Sequence, residues 1–168
     1  MATDVSTILN SHVVRELTQE TLDRVKLRII QNMSTKARNA SMRSVKSLTV
    51  KVDGTGGALY GISSFLAMET GRKGGKVPRD FRRIIADWIV AKGISIYSNT
   101  GRKPRVSSVA YLIAKKIRER GTALHREGRF EDIYSRASVE ETQKLSEKIR
   151  LLVSSGINYL HKDFANND

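Results

Sequence analysis

A chain of 168 residues is the size of one domain and long enough to bury a core without disulfides or a structural metal. It has no cysteine, which excludes disulfide frameworks, thiolate metal sites, iron–sulfur clusters and cysteine nucleophiles and suits assembly in a reducing cytoplasm. Thirty Lys and Arg against seventeen Asp and Glu give a net charge of +13, which attracts nucleic acid or an acidic protein surface without choosing between them.

In chain order, Val14, Leu17, Leu22, Val25 and Ile29 recur along one stripe between Ser11 and Met33, which predicts a long amphipathic helix. Ser34 to Ser47 is small, polar and basic. Leu48 to Val52 alternates apolar with polar and runs into Asp53-Gly54-Thr55-Gly56-Gly57, the pattern of a strand and a turn. Ala58 to Met68 returns as a second strand whose end is equally compatible with a short helix. Pro78 suits a first helical position, and Phe81, Ile84, Ile85, Trp88 and Ile89 follow at helical spacing up to a stop at Lys92-Gly93.

Val106, Val109, Ala110, Ile113, Ala114 and Ile117 form the apolar face of a third helix, with Lys115, Lys116, Arg118 and Arg120 largely elsewhere and Gly121 at its end. After a loop with Gly128, Ser138 and Glu141 have the spacing of a capping box. Leu145, Ile149, Leu152, Val153, Gly156 and Leu160 continue as a last helix over 138–164, with 165–168 as a frayed tail. This order predicts one α+β domain over 1–168, with a long N-terminal helix, a small antiparallel hairpin sheet, two central amphipathic helices and an extra C-terminal helix. Trp88, Phe81 and the aliphatic stripes are its expected core.

Chemistry is harder to find. Gly71-Arg72-Lys73-Gly74-Gly75-Lys76 superficially suggests a phosphate loop, but three residues rather than four separate its first glycine from the Gly-Lys pair, and Val77 stands where Ser or Thr would hold magnesium. His12, His125 and His161 share no metal-ligand spacing, Ser63-Ser64 has no nucleophile elbow, and Glu69 and Asp87 are expected to make ion pairs rather than an acid–base couple. No catalytic residue, cofactor or metal is therefore expected, and the chain is read as no enzyme. No apolar run approaches the ~20 residues of a membrane helix, and Met1-Ala2-Thr3-Asp4 does not open a signal peptide, so the protein is expected to act in solution. Two glycine-containing basic loops, one with Arg72, Lys73 and Lys76 and one with Arg102, Lys103 and Arg105, are the candidate interface; Lys115, Lys116, Arg118 and Arg120 form a third basic cluster.

Ala37-Arg38-Asn39-Ala40 closes a helical region and Ser47-Leu48-Thr49-Val50 enters a strand. From Phe65 to Pro78, an apolar run and Glu69 precede Gly71-Arg72, the Gly75-Lys76 pair and proline. Ile84 to Gly93 carries Trp88-Ile89 and Lys92-Gly93; Tyr111 to Ile117 leads to Arg120-Gly121-Thr122; Gly128-Arg129-Phe130-Glu131-Asp132-Ile133 closes the series. In this order, over residues 37–135, the segments resemble the tail-completion and minor tail protein Z-like family of long-tailed bacteriophages. Arg43-Ser44-Val45-Lys46 stands where that family often has a Thr-Gly pair, and the helix from Ser138 is an addition.

The resemblance implies a structural virion protein, assembled in the host cytoplasm and placed in a homo-oligomeric ring at the head–tail junction or tail. Its implied partners are its own copies and adjacent neck, connector or tail proteins, with the loops facing neighbouring rings or making non-specific contact with packaged DNA, and no membrane. On this reading both basic loops are ordered by contact with neighbouring subunits or an acidic adjacent ring. The alternative is a free basic nucleic-acid-binding protein, which the charge favours.

Overall fold

The computed structural model describes residues 11–36, 42–54, 56–95 and 104–165. Its elements are α1 (Ser11–Thr35), α2 (Arg43–Lys46), β1 (Thr49–Asp53), β2 (Gly56–Tyr60), α3 (Ser64–Thr70), α4 (Phe81–Ala91), α5 (Val106–Arg120), α6 (Ala123–Arg126) and α7 (Ser135–Ala165). The fold is α+β, with the long first helix, the antiparallel hairpin, two central helices and the long last helix that the sequence predicts. The chain builds two compact units from interleaved segments: Met1–Asn32, Leu48–Gly61 and Tyr134–Asp168 form unit 1, and Met33–Ser47 and Ile62–Ile133 form unit 2.

In unit 1, Val25 and Ile29 are buried on the predicted stripe of α1, and Thr18 and Thr21 extend the same buried face. Each threonine hydroxyl donates to its own helix, Thr18 to Val14 O at 2.8 Å and Thr21 to Leu17 O at 2.7 Å, which satisfies it without an outside partner. The hairpin pairs Thr49 with Tyr60 through Asp53 with Gly56. A Cβ at Gly57 would lie 2.7 Å from Leu22 Cδ1 and 3.0 Å from Thr18 Cγ2, so the missing side chain is what lets β2 approach α1.

The last helix begins at Ser135, and the expected capping box does not form. Ser138 lies in the first turn, where its N–H and hydroxyl both donate to Tyr134 O. Glu141 is 4% exposed and spends its carboxylate on cations instead: Arg28 Nη1 at 2.9 Å and Lys144 Nζ at 2.8 Å. Arg28 Nη2 reaches Glu140 at 2.6 Å, so one guanidinium of α1 grips two successive carboxylates of α7.

In unit 2, α4 and α5 pack against each other, with Ile89 and Ala110 buried. Trp88, expected in the core, is 42% exposed, and Ile84 is 38% exposed. These two lie one turn apart on a side of α4 away from Ile89; a helix apolar over more than one stripe leaves the second uncovered when packed on one neighbour. Pro78 is not the first helical residue. It opens a turn in which Phe81 N–H donates to Pro78 O at 3.1 Å, and α4 starts at Phe81. The segment Ala58 to Met68 divides between the end of β2 and the start of α3, whose Phe65 and Glu69 are buried one turn apart.

Candidate interaction surface

The loop Gly71 to Lys76 is held by a reciprocal backbone clasp. Gly71 (φ 76°, ψ −176°) and Gly121 (φ 74°, ψ −177°) each end a helix in a conformation that is essentially reserved for glycine. The residues that follow them bond to one another: Arg72 N–H donates to Thr122 Oγ1 at 2.8 Å, and Thr122 N–H donates to Arg72 O at 2.9 Å. Thr122 Oγ1 also accepts the His125 N–H and so caps α6. Gly75 N–H donates to Arg118 O at 2.7 Å, satisfying a carbonyl that the end of α5 leaves without a helical partner. The loop is therefore tied to the end of α5 and the start of α6 within its own chain.

The three cations of this loop have different roles. Arg72 is folded inward: its Nη2 donates to Lys76 O, its guanidinium lies 5.7 Å from the Phe81 ring centre, and its Nε is buried without a hydrogen-bond partner. It belongs to the packing of unit 2 rather than to a free contact surface. Lys73 and Lys76 are exposed. They sit at the end of α5 that carries Arg118 and Arg120, both also exposed.

Arg102 and Lys103 lie outside the described residues, and Arg105 is exposed at the N-cap of α5. Thirteen helical steps separate Arg105 from Arg118, so Arg105 stands roughly 20 Å from the Gly75–Arg118 tie and does not share a surface with the first loop. Two contributors escape a sequence reading. The Arg82 guanidinium lies 5.6 Å from the Tyr111 ring centre, and its Nε donates to Ser107 O at 3.2 Å, clasping α4 to α5. Thr122 is the second; its only sequence signal is its place between a helix-stopping glycine and Ala123, where an N-cap would stand.

Charge is distributed unevenly between the units. Unit 2 has twenty Lys and Arg against seven Asp and Glu, whereas unit 1 has ten of each, so the whole net charge of +13 belongs to unit 2. Within unit 1, Arg24, Arg28, Arg136, Lys144 and Lys148 all lie within ion-pair distance of glutamates. In unit 2, Asp87 is exposed 4.0 Å from Arg83, Glu127 meets Arg129, Glu131 meets Lys36 at 3.8 Å, and Glu69 is fully buried. Among the described residues no group of three or more His, Cys, Asp or Glu is placed to hold a metal ion, and no helix is long and apolar enough to cross a membrane. No protein-family model, curated protein or solved structure matches this chain.

Proposed function

We propose that the chain is a ring-forming structural subunit of a bacteriophage neck or tail, a head–tail joining or tail-completion protein that works through protein–protein interfaces. The segment order over 37–135 supports the family reading. The observation that carries the interface reading is the apolar pair on unit 2: Ile84 and Trp88 are exposed one turn apart on the same side of α4. Large apolar side chains grouped on a surface mark interaction sites, and a tryptophan is the side chain best suited to anchor one. A ring joins a face of each subunit to a different face of the next, so one such anchor per chain is repeated around the whole assembly.

Mass measurement of purified particles is expected to find this chain as a multi-copy component, and its absence from them would end the proposal. The double change Ile84→Asp with Trp88→Asp is expected to lower the unfolding temperature, since each side chain is still more than half covered, while leaving a folded subunit whose contact with the next is weaker by about 30-fold or more. Assembly of infectious particles with the double variant at the native yield would separate this face from function.

A further inference from the structure

We infer that unit 2 carries a phosphate-binding face made by Lys73 and Lys76 of the clasped loop with Lys115, Lys116, Arg118 and Arg120 of α5, and that its ligand is duplex DNA, gripped without regard to sequence. All six side chains are exposed, and none has a carboxylate partner among the described residues. Only Glu119 offsets them along α5. The tie from Gly75 N–H to Arg118 O brings the loop cations, far away in sequence, to the cationic end of the helix. Like charges gathered in this way repel one another in the free protein, and a polyanion relieves that repulsion while its counterions are released.

A solubilising role would spread the charge over both units, and it is not spread: unit 1 is neutral. An acidic protein partner is the other candidate, but protein interfaces place apolar side chains at their centre within a polar rim. From Gly71 to Arg79 and from Ile113 to Thr122 no large apolar side chain is exposed; those exposed on unit 2 lie on α3, on α4, earlier in α5, and at Met42, Ile94 and Phe130. A surface of cations alone matches a phosphate backbone, which presents one charge per ~1.7 Å of duplex. These cations lie at the C-terminal end of α5, whereas recognition helices read base edges with their N-terminal residues, so the contact positions DNA without reading it. Arg72 takes no part, because its guanidinium is already spent on Phe81 and Lys76 O. This inference does not rest on ring assembly.

The test is anisotropy of a fluorescein-labelled, mixed-sequence duplex of about 30 base pairs with the full chain, titrated with sodium chloride. Six phosphate contacts predict a log–log slope of about −5, or roughly 10³-fold weaker binding between about 50 and 200 mM salt. Replacing Lys73, Lys76, Arg118 and Arg120 by Gln is expected to reduce the slope by about 3.6, and replacing Lys73 and Lys76 alone, which leaves every helix untouched, by about 1.8. Arg15, Lys51 and Arg150 of unit 1, replaced together by Gln, are expected to leave it unchanged; thermal unfolding checks that each variant folds. Four results would each overturn the inference: no binding at about 50 mM salt, an unaltered slope for the Lys73 and Lys76 variant, an equal loss in the unit 1 variant, or polyglutamate competing as well as DNA at equal charge concentration. The last would assign the face to an acidic protein.

Discussion

Gly121→Ala is expected to destabilise the chain by about 3–5 kcal/mol, close to the largest loss a single substitution produces. Two effects add. At φ 74° and ψ −177°, a residue with a Cβ is strained by about 1–3 kcal/mol. The new Cβ would also collide with Arg72 O and approach Gly74 N to 2.9 Å; these are backbone atoms with no rotamer to escape into, so the clasp must open. Opening it sacrifices the paired bonds between Arg72 and Thr122, each contributing about 1 kcal/mol net. Gly71→Ala should behave alike, because its Cβ would lie 2.5 Å from His125 N and 2.6 Å from Thr122 Oγ1. Gly93→Ala is the control: φ is +60° but nothing lies within 4 Å, so only the intrinsic left-handed cost of about 1–2 kcal/mol remains. Urea unfolding of the three variants decides the matter, and equal losses at all three positions would deny the clasp its role.

Arg28→Ala is expected to cost about 2–3 kcal/mol at neutral pH and to blunt the acid sensitivity of unit 1. Glu141, buried on α7, would keep Lys144 as its one cation. Hydrogen bonds from Arg136 and then Arg28 hold the Glu140 carboxyl below the ordinary carboxylate range. Glu141 is held below it chiefly by Lys144, with Arg28 adding to this and burial opposing it. An unfolded chain lacks these partners and binds protons first as pH falls. The stabilisation is therefore complete above the unfolded value near ~4.3 and is lost as pH drops through the lower folded values. The native urea midpoint should fall more steeply than that of the Arg28→Ala variant between about pH 5 and pH 3. Parallel curves would place the acid response elsewhere.

Periodicity made the long elements legible. The stripes of α1 and α5 and the alternation in β1 each reflect a face that must be buried, and these three elements are found with small shifts at their ends. The errors arise where one pattern fits two physical situations. Trp88 has helical spacing with Ile84 and Ile85, yet spacing reports which residues share a face and not whether another element covers it. Ser138 and Glu141 have the separation of a capping box, but a buried glutamate is worth more to Arg28, a residue that no local pattern connects to it. The basic loop was visible as composition, whereas the difference between Arg72 and its lysine neighbours depends on Phe81 and Thr122, which only the fold brings near. The short helices α2 and α6, at four residues each, are too brief to show a period.

The interleaving of the two units sets an order of events during synthesis. Synthesis runs from the N-terminus, so every residue of unit 2 has been added to the chain before α7 exists. Unit 1 cannot close until then, because the Arg28 of its first helix waits for Glu140 and Glu141 more than a hundred residues downstream. Closure across so long a separation is slow, and α1 spends that interval with Val25 and Ile29 open to water. Unit 2, whose segments are all synthesised before α7, can therefore close first, whereas unit 1 must wait for α7 to meet α1.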